Sequence, residues 1–205
     1  MSLRTTTWKE RNYNRLQETR KEAIKLGLLT PTIIDIGPGG LVAFLFYYFP
    51  KGDYSEWTLR ESIVRGMLKL VESPLRKTSL FPLQSSEPGE IVEIFGDLNP
   101  RALYIVDLEP RVIEAAKRLL GGLNINSSVR YMNVDISAQQ IPYQGEIVIA
   151  FNVASRTMSP QKSLESIANS VANGGLLTTD QNVDLPAFTQ IKSGIYLKNH
   201  GNGSL

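Results

Sequence analysis

Thr32-Ile-Ile-Asp-Ile36 runs directly into Gly37-Pro-Gly-Gly40, which is followed by the apolar run Leu41 to Phe49. A short β-branched run without polar alternation reads as a strand buried on both faces, and such strands occur in parallel sheets covered by helices. Parallel neighbours cannot be joined by a tight hairpin, so the chain must supply crossover helices. From residue 102 it does. Ala102 to Val106 reads as a strand. Pro110 stands where a first helical residue should, with Val112, Ile113, Ala116 and Leu120 as the inward stripe and Gly121-Gly122 as the stop. Val129 to Val134 and Glu146 to Phe151 read as strands. Pro160 to Ala172 reads as a helix with Leu164, Ile167, Ala168 and Val171 inward, and Asn173-Gly-Gly175 as the turn into the strand Leu176 to Thr179. Ala187–Ile191 and Ile195–Leu197, split by Ser193-Gly194, read as a closing antiparallel hairpin. Strands alternating with helices imply a doubly wound α/β sheet.

Two segments stand outside that rhythm. Residues 1–30 read as an N-terminal helical extension. Thr7-Trp-Lys-Glu10 has the form of a capping box, Tyr13, Leu16, Ala23, Ile24 and Leu28 follow at helical spacing, and Gly27 and Thr30-Pro31 stop the helix. Residues 50 to about 98 read as an insertion. Within it Thr58-Leu-Arg-Glu61 is a second capping box, and Leu59, Ile63, Met67 and Leu70 make one helix face over 58–72. Glu90 to Leu98 fits either helix or strand. An insertion after a glycine-rich loop is a place for a lid, a substrate-recognition element or an oligomer contact. Tyr54 and Trp57 there, with Tyr13 on the first helix, are candidate acceptor contacts.

Composition removes several chemistries. With no cysteine and one histidine, His200, there is no disulfide framework, no thiolate chemistry, no metal centre built on Cys or His, and no ready Ser-His-Asp triad. A net charge of +2 on 205 residues argues against a broad nucleic-acid-binding surface. Leu41 to Phe49 is too short to cross a bilayer, and no basic segment precedes an apolar leader, so a soluble cytoplasmic protein is expected. Residues 1–30 hold seven Lys/Arg against three Glu, either a solvated helix face or a patch for an anionic substrate.

The chemistry concentrates at strand ends. Asp35-Ile-Gly-Pro-Gly-Gly40 joins a strand to a helix start, where glycine lets the backbone approach a ligand and free N–H groups face outward. Ligands of open α/β sheets bind beyond the carboxyl ends of the strands. Asp107 ends the next strand, where a carboxylate can accept two hydrogen bonds from a ribose diol. Asp135 follows the third, beside Ile136, and suits an adenine amino group with an apolar cover. Phe151-Asn152 ends the fourth.

These residues resemble a class I S-adenosylmethionine-dependent methyltransferase. Asp35-Ile-Gly-Pro-Gly-Gly40 is similar to the family's glycine-rich first motif, and Ile105-Val-Asp-Leu-Glu-Pro110, with Asp107 and Leu108, to its acidic second strand end. Asn133-Val-Asp-Ile136 and Ile141-Pro-Tyr143 are similar to its adenine loop, Ile147 to Asn152 to its fourth motif, and Val171 to Leu177 to the turn into strand five. The resemblance covers residues 32–49 and about 100–198. It implies a three-layer, Rossmann-like sheet of seven strands, mostly parallel with a C-terminal antiparallel hairpin. It also implies S-adenosylmethionine as methyl donor and a small-molecule acceptor. Implied cofactor contacts are Asp35, Gly37, Pro38, Gly39 and Gly40 near the methionine tail, Asp107 and Leu108 at the ribose, Asp135 and Ile136 at the adenine, and Phe151 and Asn152 at the fourth strand. Leu41 stands where a third glycine is usual, and few residues separate strand five from the hairpin. No catalytic residue is assigned, and Tyr143 and Asn152 are only guesses for a base. Transfer of an aminopropyl or aminocarboxypropyl group on the same fold, or a non-catalytic nucleoside-binding scaffold, are the alternatives. A nicotinamide dehydrogenase fits worse, because Val42 occupies a required small position.

Overall fold

A computed structural model of the chain describes residues 4–37, 87–108, 110–123, 125–151, 153, 154, 157 and 159–200. The Leu41–Phe49 helix, the 58–72 helix and most of the 50–98 insertion lie outside the described residues. In chain order come α1 (Arg4–Lys25), β1 (Thr32–Ile36), α2 (Glu87–Phe95) with a 3-10 turn (Gly96–Leu98), β2 (Ala102–Asp107) and α3 (Pro110–Gly121). They are followed by β3 (Ser128–Asn133), β4 (Gly145–Ala150), α4 (Pro160–Asn169), β5 (Val171–Thr179), β6 (Phe188–Lys192) and β7 (Ile195–Lys198).

The seven strands form one sheet in the order β3-β2-β1-β4-β5-β7-β6. β1 to β5 pair in parallel, β7 lies antiparallel on β5, and β6 pairs antiparallel with β7. Period-2 alternation splits the strand residues between two cores. Ile33, Leu103, Ile105, Ile147, Ile149 and Leu176 pack under Leu16 and Ala23 of α1, Ile91 and Phe95 of α2, and Ile113 and Ala116 of α3. Ile34, Ile36, Val106, Val148 and Leu177 pack on the opposite face with Ile167 of α4 and with Val134, Ile136 and Ile141. The sheet is therefore the middle of three layers, as expected for a Rossmann-like methyltransferase sheet. Each fully buried aliphatic side chain contributes about 1.5–3 kcal/mol through removal from water. No helix among the described residues is long and apolar enough to cross a membrane.

Several local expectations change. α1 begins at Arg4, so Thr7 lies inside the helix rather than capping it; nothing in Arg4–Thr6 breaks a helix. Ile24 is 40% exposed, on the outer edge of the stripe that buries Leu16 and Ala23. α1 ends in a Schellman pair of bonds, Leu28 N–H to Ala23 O at 2.9 Å and Gly27 N–H to Ile24 O at 3.0 Å. The ambiguous stretch before Leu98 is helix, with Ile91, Ile94 and Phe95 as its buried side. α4 stops at Asn169, where the Ser170 hydroxyl donates to Ile167 O at 2.6 Å. Val171 thus opens β5 opposite Gly145, so Val171 and Ala172 are strand rather than the last residues of the helix expected over Pro160 to Ala172. Asn173 to Gly175 is an irregularity within β5 rather than a turn before it. Between β5 and β6 the described chain has no helix, so that crossover is indeed reduced.

α1 is fastened to β5 by a buried hydroxyl pair. Thr19 Oγ1 donates to Arg15 O at 2.8 Å and therefore accepts from Thr178 Oγ1 at 2.7 Å. Both residues are fully buried. Thr19→Val leaves the Thr178 hydroxyl unsatisfied, and a loss of about 1–2 kcal/mol is expected in urea unfolding. Adding Thr178→Val should recover part of that loss, because the orphaned group is then gone. A double variant as weak as the summed singles would show that the pair is not coupled.

Candidate functional site

Strand order reverses between the paired strands β1 and β4, so the connections leaving their carboxyl ends run to opposite sides and mark a switch point there. The residues after β1, β2 and β3 meet there. Gly37 N–H donates to Val106 O at 2.7 Å, and Val134 N–H donates to Asp107 O at 3.0 Å. The Asn133 side-chain amide donates to Asp107 O at 3.0 Å and to Leu108 O at 2.6 Å. The β2 end is therefore held in part through its backbone carbonyls. Asp107 itself is half-buried, and Leu108 is 62% exposed.

Gly37 has φ +65°, and a Cβ there would lie 2.7 Å from Val153 Cγ2. The chain leaves β1 in a left-handed conformation that only glycine adopts without strain, with Val153 packed against its Cα. Two residues earlier, Asp35 is fully buried between the registered Ile105 and Ile149, and neither carboxylate oxygen has a hydrogen-bond partner. Burial, and after it the negative charge of Asp107, push its carboxyl well above the usual carboxylate range.

Asp135 sits two residues past β3. Its Oδ1 accepts from the Ser137 hydroxyl at 2.6 Å and the Ser137 N–H at 2.9 Å. Those bonds hold its carboxyl below the ordinary range. Ile136 is buried among Val134 and Ile141. Phe151, just past β4, is 3% exposed in the core on the α1 side, with the Arg15 guanidinium carbon 5.8 Å from its ring centre. Asp35, Gly37, Asp107, Leu108 and Asp135 are thus brought to one edge of the sheet, and Ile136 and Phe151 lie beneath it. Tyr13 is placed on the α1–α2 seam, its hydroxyl donating to Glu93 at 3.2 Å. Pro38, Gly39, Gly40, Tyr54, Trp57 and Asn152 lie outside the described residues.

The N-terminal cationic patch does not gather into one site among the described residues. Arg15 donates to Thr179 O at 3.1 Å, Arg20 pairs with Asp97, Lys21 with Glu18 at 2.6 Å, and Lys25 with Glu22 at 2.9 Å. Arg15, Asn133 and Val153 shape this edge of the sheet in roles that the sequence reading did not assign to them. Asn133 belongs to the Asn133-Val-Asp-Ile136 motif, whereas Arg15 stands out only as one of the seven Lys/Arg of residues 1–30. No cluster of three His, Cys, Asp or Glu suited to a metal occurs among the described residues.

The sheet order and the acid-tipped switch point define a Rossmann-like α/β domain of the seven-stranded type. Among solved structures the chain is similar to an S-adenosylmethionine-dependent methyltransferase from Clostridium acetobutylicum, at 13% identity and a TM-score of 0.48, covering 83% of this chain and 50% of that one. It is similar to the N-methyltransferase NodS from Bradyrhizobium japonicum at 11% identity and a TM-score of 0.47, covering 92% of this chain and 97% of that one. It is also similar to CalS10, an amino pentose methyltransferase from Micromonospora echinaspora, at 11% identity and a TM-score of 0.44, covering 89% and 58%. The chain spans about half to three fifths of the length of several of the solved chains it matches. No family model and no curated protein matches it.

Proposed function

We propose that this chain is an S-adenosylmethionine-dependent methyltransferase acting on a small-molecule acceptor. The observation that carries the reading is the placement of Asp107: a half-buried carboxylate at the β2 tip, beside the Gly37 turn, with its backbone carbonyl already engaged by Asn133 and Val134. In this reading its carboxylate accepts from a ribose diol. Asp135 keeps Oδ2 as the oxygen for an adenine amino group, since Ser137 engages Oδ1. Asp35 and the turn that starts at Gly37 lie on the side where the amino-acid tail would rest, and an unpartnered buried acid suits the α-ammonium of that tail. The residues present therefore fit the group.

When bound, S-adenosylmethionine supplies an activated methyl on a sulfonium. The chain's own work is then alignment of the acceptor and exclusion of water, which accounts for the absence of any assigned nucleophile. The 50–98 insertion, Tyr54, Trp57 and Tyr13 remain the segments proposed for acceptor recognition.

Thermal unfolding with added ligands tests this. S-adenosylmethionine and S-adenosylhomocysteine should raise the midpoint, since a ligand at about 100 times its dissociation constant adds about 2.7 kcal/mol to the native state. NAD should leave it unchanged. No shift with either adenosyl ligand at millimolar concentration would overturn the reading.

A further inference from the structure

Among the described residues Asp35 is the acid whose two oxygens are both buried without a partner. An ionised carboxylate in that condition costs several kcal/mol, so the group stays neutral until a cation compensates it. Among the described residues no cation is paired with it. β2 offers Asp107, a like charge, and β4 offers Ile149. The helices over the same face carry Arg15 on α1, Glu90 and Glu93 on α2, and Glu114 and Lys117 on α3. Arg15 is engaged with Thr179 O and the Phe151 ring, Glu93 with Tyr13, and Glu114 with Lys117. Asp107 is the charge that acts on Asp35. Two residues on, the chain leaves the sheet at Gly37, at the carboxyl end of β1.

We propose that Asp35 is a proton-linked counter-ion: protonated in the free protein, it becomes a carboxylate when the α-ammonium of an adenosyl ligand's amino-acid tail docks against it, and one proton passes to solvent. The inference rests on the donor reading above. In the step the carboxyl O–H bond breaks, its electron pair stays on oxygen and the proton goes to buffer; nothing is oxidised or reduced. Affinity for a ligand with a charged tail therefore rises with pH until Asp35 is ionised in the free protein, and levels off beyond that point. A nucleoside without the tail does not show this dependence.

Titration calorimetry at one pH, in buffers of low and high ionisation enthalpy, measures the proton directly. S-adenosylhomocysteine should show an enthalpy that varies with the buffer by about one proton released per ligand bound. 5′-Methylthioadenosine, the same nucleoside without the amino acid, should show almost none. In Asp35→Asn the buffer dependence for S-adenosylhomocysteine should vanish. Infrared difference spectra of the unaltered protein give a second reading that needs no variant, because the C=O stretch of a protonated buried carboxyl should disappear on ligand binding. A wild-type enthalpy independent of buffer, a dependence retained in Asp35→Asn, or a carboxyl band unmoved by ligand would overturn the inference while leaving donor binding intact. If neither nucleoside binds, the donor reading and this inference fall together.

Discussion

Gly194→Ala lowers the free energy of unfolding by about 2–5 kcal/mol. Gly194 closes the β6–β7 hairpin with φ +73°, where a side chain costs about 1–2 kcal/mol of backbone strain. The space is also occupied. A Cβ would overlap the Thr179 carbonyl oxygen and lie 2.6 Å from Arg15 Cζ and Nε. Overpacking of this kind adds about 1–3 kcal/mol. Neither neighbour can move cheaply. Thr179 N–H donates to Gly194 O at 2.9 Å, and Arg15 Nη1 donates to Thr179 O at 3.1 Å. The displacement would therefore travel into the β5–β7 pairing at Thr178 and Ile195 and into the seat of α1. Urea unfolding of Gly194→Ala beside Gly96→Ala checks this, because nothing lies within 4 Å of a Cβ at Gly96. Equal losses in the two variants would show that the hairpin tolerates the methyl group.

That clash involves residues far apart in sequence, and the same holds for most of what the sequence did not reveal. Patterns set by local periodicity were legible. Thr32–Ile36 reads as a doubly buried strand because four of its five residues are buried, and Val112, Ile113, Ala116 and Leu120 fall on one face of α3 as their spacing demands. Strand-end acids could also be placed, since a strand's end fixes its edge of the sheet. Val171 was misplaced because it lies four residues after Ile167 and fits a helix stripe as well as a strand start. The choice was made by Ser170 and by pairing with Gly145 on another strand. Thr7 has the letters of a cap, but a cap is worth only about 1 kcal/mol and marks a terminus only where the chain before it leaves the helix. Arg15 looks like any solvated helical arginine until Thr179, 164 residues away, receives its hydrogen bond. Asp35 could be read as a strand-end acid. That it has no partner is a property of the neighbours, and no pattern in the sequence records it.

Asp107→Ala weakens binding of S-adenosylhomocysteine by about 1.5–3 kcal/mol, the range for hydrogen bonds to a charged group. The fold should survive the change. The Asn133 and Val134 bonds at the β2 tip run to the backbone carbonyls of residues 107 and 108, which alanine retains. A loss of affinity with an unchanged unfolding midpoint would therefore report on the ligand and not on the scaffold. The substitution also removes the negative charge that acts on Asp35, so the neighbouring carboxyl should ionise more readily in this variant.

Calorimetric affinities of the unaltered chain and of Asp107→Ala for S-adenosylhomocysteine and for its 2′,3′-dideoxy counterpart complete a double-mutant cycle on the diol contact. Removing the diol should cost the unaltered chain about as much as losing Asp107 does, and should cost Asp107→Ala almost nothing further. Unchanged affinity in Asp107→Ala, or the same penalty for the missing diol in both proteins, would contradict a ribose held at the tip of the second strand.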